Sequence, residues 1–404
     1  MTVQLAGALE FSAEEIRKIA QHSPLGPPPP DLTNAFAGDP GAARLGQFLF
    51  FDKRLSAQND VSCATCHDPR RGFANAAARG SGTGGLATAR HVPTLLNNAY
   101  NRWFFWDGRA DSAWSQATQP LEIPSEHGAD RLQIVHLASR TPEIRSSYEA
   151  VFGKLPDLSD PQRFPAHAAP MPDDLPRARA WKGMSAADRD VVDRVFTNLT
   201  KAIAAYERAL VSRDSAFDRF VAQLVSNRPE AASALSESAQ RGLRLFIGRG
   251  NCRLCHSGPN FSDGEFHDTA LPRSGGLRDT GRWGGIQRLL NDPFNSAGAY
   301  SDGAKPELGY LVPRQDSSGQ FKTPTLRDVA RTAPYTHTGQ FKTLRDVLRF
   351  YSTREDIPRT HGERGVIRRL DLTESQLDDL EAFLKSLNGR PLPNDLLVAP
   401  GSPG

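Results

Sequence analysis

The pentapeptide Cys63-Ala-Thr-Cys66-His67 occurs again, as Cys252-Arg-Leu-Cys255-His256, in the second half of the chain. Cys-x-x-Cys-His is the attachment pattern of c-type haem, in which the two thiols bond to the haem and the histidine ligates its iron. A structural zinc site, a redox dithiol and a pair of disulfides are alternatives. However, zinc needs four converging ligands, and a dithiol does not need the histidine. Because the two pentads use all four cysteines, the sequence predicts two covalently bound haem c groups.

Length and charge set wide limits on the class of protein. A chain of 404 residues predicts two or three domains with real cores. Its 49 lysines and arginines nearly balance 46 aspartates and glutamates, so charge indicates no nucleic-acid partner. No apolar run approaches the roughly 18 residues of a membrane span, and Met1–Glu10 does not read as a secretory signal. Because c-type haem is attached outside the bacterial cytoplasm, we expect a periplasmic protein whose signal peptide has been removed.

Strand-like alternation is rare, so we expect a mainly α fold with long loops around the haems. The two pentads predict that it consists of two cytochrome c-like domains. The segment 154–187 carries six prolines and neither isoleucine nor valine, which predicts an irregular insertion over the surface. An apolar helical stripe follows it and predicts a helix that joins the two haem domains. The predicted divisions are an N-terminal extension (1–30), an N-terminal haem domain (31–153), the proline-rich insertion (154–187), the connecting helix (188–235), a C-terminal haem domain (236–393) and a tail (394–404).

The two halves repeat each other beyond the pentads. Pro93-Thr94-Leu95 matches Pro324-Thr325-Leu326, and the alignment continues without gaps. It places Trp106 opposite His337 and Pro120 opposite Tyr351. If the last position faces the distal side of each iron, the two irons differ. The first meets a proline, which has no ligand atom in its side chain, and keeps an open position.

The second iron would then meet the phenol oxygen of Tyr351. A methionine ligand is nearly excluded, because all three methionines precede the second pentad. Histidine remains an alternative, and the candidates in the second half are His267, His337 and His361. Tyr351 could also be an ordinary core residue of the helix in which it lies.

Four further motifs are specific enough to indicate a family. They are Arg90-His-Val-Pro-Thr-Leu-Leu-Asn97, Phe105-Trp-Asp-Gly-Arg109, Phe321-Lys-Thr-Pro-Thr-Leu-Arg327 and Thr332-Ala-Pro-Tyr-Thr-His337. With the pentads, they make about residues 40–150 and 236–390 resemble the bacterial di-haem cytochrome c peroxidases, especially the MauG-like branch. The resemblance implies that the first haem is the peroxide site and that the second stores or relays an electron. It also implies that Trp106 lies between them.

The resemblance further implies a distal pocket containing Pro120 and, six residues later, Glu126. A carboxylate there can take a proton from one oxygen of peroxide and return it to the other. A solvated loop carboxylate is the alternative for Glu126, and His127 is a neighbouring candidate for the same task. Peroxidases of this family also have a histidine, after the first pentad, that blocks the iron until the partner haem is reduced. Residues 68–89 contain no histidine, so we expect no such gate.

The family also binds calcium between its haems. The resemblance maps two of its ligands onto the backbone carbonyls of Thr332 and Pro334. A third ligand is an asparagine side chain in the family, and His91 takes its place here. The resemblance therefore implies calcium as a cofactor, but the presence of His91 argues against it.

These observations lead to one functional hypothesis and two alternatives. The hypothesis is a periplasmic di-haem enzyme that reduces hydrogen peroxide at the first haem and oxidises an aromatic residue of a partner protein. In the first alternative, a cytochrome c peroxidase draws electrons from a small cytochrome or cupredoxin. In the second, the protein is a di-haem electron carrier without catalysis, against which the open first iron and Glu126 argue.

Overall fold

The computed structural model describes residues 9–226, 234–271, 279–353 and 369–401. Its helices are α1 (Ala13–Ala20), α2 (Pro40–Phe51), α3 (Cys63–Cys66), α4 (Ala113–Glu122), α5 (Arg131–Arg140), α6 (Pro142–Phe152), α7 (Leu175–Gly183), α8 (Ala186–Arg208), α9 (Ala216–Ser226), α10 (Glu237–Ile247), α11 (Gly281–Asn291), α12 (Leu344–Thr353) and α13 (Glu374–Lys385). Two short strands, β1 (Phe266–His267) and β2 (Phe321–Lys322), pair antiparallel. The prediction of a mainly α fold is confirmed. Within the described ranges, no helix is long and apolar enough to cross a bilayer.

Apolar side chains form two main cores, one for each half. The first gathers side chains of α2, α4, α5, α6 and α8, and it includes the fully buried Phe50, Trp114 and Phe196. The second gathers α9, α10, α12 and α13 around Phe246 and Phe383. Helix α1 also packs in the second core, through Ile19. The N-terminal extension therefore belongs to the second haem domain, although it precedes the first in the sequence.

The predicted connecting helix over 188–235 consists of two helices in the described residues. Helix α8 packs along α2 and α4 and buries one side in the first core. Helix α9 packs in the second core, so the chain passes between the cores over residues 209–215. The apolar stripe of α8 is long because this helix is a central element of the first domain.

The proline-rich segment is more than a surface insertion. Its side chains Leu155, Leu158 and Phe164 are buried in the first core, and its last part forms α7. The prediction that it only covers the surface is therefore wrong. Prolines prevent regular backbone hydrogen bonding, but they do not prevent apolar side chains between them from packing. We call residues 154–184 the strap.

The internal repeat is visible in the backbone. Helices α4 and α12 have equal lengths and begin at the same distance after the matched prolines, Pro93 and Pro324. The β-bridge from Phe104 to Ala110 has its counterpart between the equivalent residues of the second half. Gly108 has a φ of 66°, and its counterpart in the second half has 64°. Equivalent positions can therefore be compared one by one.

Candidate haem centres

Both pentads present their histidine in the same way. Nδ1 of His67 lies 3.0 Å from the carbonyl oxygen of Phe73, and Nδ1 of His256 lies 3.0 Å from that of Phe261. Because a carbonyl can only accept, each Nδ1 carries the proton and Nε2 keeps a lone pair for a metal. Burial lowers the pKa of His67 to about 4 and also lowers that of His256, which favours the neutral, ligating form.

The cysteines do not have the properties of a redox dithiol or a zinc site. None of the four is joined to another in a disulfide, and burial raises the pKa of Cys66 to about 11 and that of Cys252 to about 12. A reactive Cys-x-x-Cys pair has a lowered pKa instead. In the described residues one cluster of three metal-binding side chains occurs, made of Cys255, Asp263 and His267. It omits the other members of the pentad, and a structural zinc site needs four ligands.

A cavity of about 1040 Å³ lies beside the first pentad. This is at the upper end of the roughly 300–1,000 Å³ that binding sites for small molecules and cofactors occupy. The residues predicted for the first haem and its distal pocket all line it, namely Cys63, Cys66, His67, Trp106, Pro120, Glu126 and His127. Segments distant in the sequence thus converge on one site, and its thiols and free histidine nitrogen fit haem c.

The distal side of this cavity is formed by the end of α4 and the turn after it. Pro120 lies in the last turn of α4 and offers no ligand atom. The turn is fixed by its backbone, because the N–H of Glu126 donates to Ile123 and the carbonyl of Glu126 accepts from Thr83. Gly82 is required beside it, since a Cβ there would lie 2.2 Å from the carbonyl oxygen of Ser125.

Glu126 is better suited than His127 to accept and return a proton, because the pKa values of the two groups are shifted in opposite directions. Burial raises the pKa of Glu126, and the positive charge of Arg109 opposes this only in part. Such a carboxyl group can both accept and return a proton nearer to neutral pH. Nδ1 of His127 contacts the carbonyl oxygen of Leu55 at 3.2 Å, and burial lowers the pKa of His127 to about 4. His127 is consequently a weak base.

Trp106 lies where the two halves meet. Its indole N–H donates to the carbonyl oxygen of His91, and its own carbonyl accepts from Lys322 of the second half. The ring of His337, its counterpart in the repeat, has its centroid 6.4 Å away. His337 in turn stacks on Phe321 at 3.6 Å. These rings form a chain of aromatic contacts between the two halves.

A cationic cluster beside Trp106 was not predicted. Asp107 is fully buried and pairs with Arg90 at 2.8 Å and with Arg109 and Arg288 at 3.1 Å. Burial would raise the pKa of Asp107, but the three guanidinium groups lower it. All three arginines line the cavity, and Arg90 also pairs with Asp279. The remaining positive charge suits the carboxylates of haem propionates.

Other cavity residues were also missed. Glu207 of α8 lines the cavity, accepts a hydrogen bond from Asn98 Nδ2 at 2.9 Å and has its pKa raised to about 8 by burial. Met171, Asp174 and Arg177 of the strap line the cavity as well. In the sequence, Glu207 stands inside the apolar stripe of α8, and a buried carboxyl there was the available signal. The strap residues have no such signal.

Tyr351 occupies the place on α12 that Pro120 occupies on α4. Its side chain is half-buried and packs against the ring of Phe350. Of the alternative ligands, His267 pairs with Asp263 at 2.7 Å, and His337 stacks in the aromatic chain between the halves. His361 lies outside the described residues.

Of the residues at the implied calcium site, His91 does not fit that ion. Calcium takes oxygen ligands, and an imidazole has none. Nδ1 of His91 lies 3.2 Å from the carbonyl oxygen of Ala77, which is a hydrogen-bonding partner for that ring. The hydroxyl group of Thr332 donates to Val329. The backbone carbonyls of Thr332 and Pro334 could supply oxygen ligands, but the side chain of His91 could not.

Two matched histidine sites, one of them opening on a cavity with a buried carboxyl group, define an oxidoreductase with two haems. Residues 40–225 match the family described as di-haem cytochrome c peroxidase. Cytochrome-c peroxidase IdrP2 of Denitromonas iodatirespirans is 30% identical over 375 residues, which cover 92% of this chain and 87% of that protein. Methylamine utilization protein MauG of Methylorubrum extorquens is 30% identical over 353 residues, covering 87% and 79%.

A solved structure of a MauG-like protein associated with microbial copper homeostasis aligns with a TM-score of 0.60 and 26% identity, covering 95% of this chain and 97% of that one. The chain belongs to the di-haem cytochrome c peroxidase and MauG family.

Proposed function

We propose that the protein is a MauG-like enzyme that reduces hydrogen peroxide at its first haem and oxidises an aromatic residue of a partner protein. The observation that carries this proposal is the asymmetry of the repeat. Proline stands at position 120 of α4, and tyrosine stands at the equivalent position 351 of α12. Family membership supports the reaction with peroxide, and the asymmetry assigns different tasks to the two sites.

At the first site, Cys63, Cys66 and His67 would hold a haem, which would supply electrons for the cleavage of the O–O bond of hydrogen peroxide. Glu126 accepts the proton of the near oxygen and returns it to the departing oxygen, which leaves as water. Pro120 leaves the distal side of the iron without a protein ligand. In sum, hydrogen peroxide takes up two electrons and two protons, which the aromatic residue of the partner gives up on oxidation, and forms two molecules of water.

At the second site, His256 Nε2 and the Tyr351 phenol oxygen would hold the iron. An anionic phenolate favours oxidised iron, as tyrosine does in catalase. This side can therefore give up one of the two electrons that peroxide takes. Trp106 and His337 stand in contact between the halves and supply aromatic groups along the route.

We expect a protein as the substrate, because the two oxidising equivalents would be divided between two haem sites that both lie inside the protein. The partner would present a tryptophan or tyrosine in the periplasm, where c-type haem proteins are assembled. A second function remains a candidate because a relative that covers most of this chain is a cytochrome-c peroxidase. In that case the electrons would come from a small cytochrome or cupredoxin.

The ligand assignment can be tested by electron paramagnetic resonance of the fully ferric protein. We expect one high-spin and one low-spin haem, and Tyr351→Phe should change the low-spin signal alone. Tyr335→Phe is a matched control, because its hydroxyl group donates to the carbonyl of Val329 in the same domain. If His337→Ala removed the low-spin signal while Tyr351→Phe preserved it, the assignment would be wrong.

A further inference from the structure

The two proximal sides differ at one buried position. In the aligned repeat, Leu96 of the first half corresponds to Arg327 of the second. Both side chains are buried, and Arg327 is only 1% exposed. A buried arginine is costly unless it is paired and hydrogen-bonded. The second half must therefore contain partners for the guanidinium charge of Arg327. The first half has no charge at the equivalent position, Leu96.

The charge partner of Arg327 is Asp218 of α9. Nη1 and Nη2 of Arg327 donate to the two carboxylate oxygens at 2.8 and 2.9 Å, a bidentate geometry. The N–H and hydroxyl groups of Ser215 donate to the same carboxylate. Burial raises the pKa of Asp218, but these hydrogen bonds and the arginine outweigh it and hold the pKa at about 2. The carboxylate of Asp218 is thus ionised over the physiological range.

The same guanidinium group holds the loop that follows His256. Nε of Arg327 donates to the carbonyl oxygen of Pro259 at 2.6 Å, and its carbon lies 5.7 Å from the centre of the Phe261 ring. Phe261 supplies the carbonyl that accepts from Nδ1 of His256. Arg327 therefore contacts the residue that orients the proximal histidine.

The N-terminal extension closes this cluster. The hydroxyl group of Ser23 donates to Asp218 at 2.8 Å, and the carbonyl oxygen of His22 accepts from Arg327 at 3.4 Å. The His22 ring packs on Phe261 with a centroid distance of 5.0 Å. The extension thus shields the ion pair from solvent, so that its field is weakly screened.

We propose that Arg327, paired with Asp218, is a positioning residue that fixes the proximal loop of His256 and sets the reduction potential of the second haem independently of the first. A positive charge near a haem stabilises its reduced state, and a negative charge stabilises its oxidised state. The balance of the buried pair therefore determines how readily the second haem gives up an electron. The first half has the uncharged Leu96 at this place. The role does not depend on which distal ligand the second iron has.

The test is spectroelectrochemical titration of both haems in the purified holoprotein at pH 8, where an unpaired Asp218 stays ionised. Asp218→Asn leaves the arginine uncompensated, so the second potential should rise. Arg327→Gln leaves the carboxylate uncompensated, so the second potential should fall. The double variant should lie between the two single variants. The potential of the first haem should not move in any of them.

Two further variants separate charge from packing. Arg327→Lys keeps the positive charge and should remain closer to the wild-type potential than Arg327→Gln. Arg241→Gln is the matched control, since Arg241 pairs with Asp379 at the surface of the same domain. Shifts of the same sign for Asp218→Asn and Arg327→Gln would overturn the proposal, as would equal shifts for lysine and glutamine. Should Arg327→Gln fail to fold, an unchanged or lowered potential in Asp218→Asn would overturn it as well.

Discussion

At the scale of single residues, Glu126 carries the chemistry proposed for the first site. Glu126→Gln keeps the shape of the side chain and removes its ability to accept a proton. General acid–base groups contribute typically ~10²–10⁴-fold, so the reaction with peroxide should slow within that range. Stopped-flow spectroscopy measures this rate, and Glu143→Gln on the exposed side of α6 is the control. An unchanged rate would contradict the role of Glu126.

The pH dependence of the same rate follows from the environment of Glu126. The base must be ionised to accept a proton, and burial raises its pKa. The wild-type rate should therefore fall as the pH decreases, with a midpoint above the ordinary glutamate value of about 4.3. This decrease should be absent in Glu126→Gln.

The sequence was informative about residues whose role depends on local order along the chain. The pentads, Pro120 and Tyr351 could be placed because the repeat keeps its spacing without a gap as far as α4 and α12. The arginines around Asp107 could not be placed in this way. Arg90 and Arg109 lie in recognisable motifs, but Arg288 comes from α11, and only the tertiary structure brings it to the same carboxylate.

At the scale of secondary-structure elements, the strap is held to the first domain by its apolar side chains and by two carboxylates, Asp188 of α8, which pairs with Arg163, and Asp130. Asp130 caps α5 by accepting from the N–H of Gln133, and it also pairs with His167 and Arg177 of the strap. Phe164 is 2% exposed within the first core. The strap therefore connects the cavity wall to the core of the domain.

Phe164→Ala should destabilise the first domain, because it removes a buried ring and leaves a cavity. Substitutions of this kind cost about 3–5 kcal/mol. Urea unfolding followed through the absorbance of the first haem measures this free energy. Leu175→Ala is the control, since Leu175 is 60% exposed on α7 and should change the stability little. A loss for Phe164→Ala no larger than that of the control would show that the strap is only a surface insertion.

Helix boundaries could be predicted better than helix partners. The capping boxes at Ser12 and Thr373 each pair residues three positions apart, so the sequence alone is enough to predict such helix starts. The docking of α1 on the second core depends on surfaces more than 200 residues away, and α1 carries no pattern that selects them. For the same reason α8 was assigned to the connection between the domains although it packs within the first.

At the scale of the whole molecule, two copies of one domain are arranged so that their matched residues meet. Trp106 and His337 are equivalent in the repeat and lie in contact between the halves. Asp107, the residue after Trp106, is anchored by Arg288 from the second half. The junction is thus held by ion pairs to the buried carboxylate of Asp107, and its aromatic side chains meet between the two halves.

Trp106→Phe tests this junction. Phenylalanine is harder to oxidise than tryptophan and lacks the indole N–H that donates to His91. In the proposed function, reaction with peroxide gives an oxidised state that the two haems share. The variant should retain that state for a shorter time, or only the first haem should be oxidised. Stopped-flow traces recorded at bands of each haem measure both effects. A lifetime and distribution equal to those of the wild type would exclude Trp106 from the route.

The proposed function requires that the first iron is open to peroxide and that the two haems share the two oxidising equivalents that peroxide supplies. One equivalent of hydrogen peroxide, mixed with the fully ferric protein in a stopped-flow spectrometer, tests it most directly. We expect the bands of both haems to change together and to persist, because residues 68–89 supply no histidine to block the first iron and because Tyr351, as the proposed ligand, would favour the loss of an electron from the second. If peroxide had no effect until one electron was first added, the protein would be a gated peroxidase, and the proposed function would be contradicted.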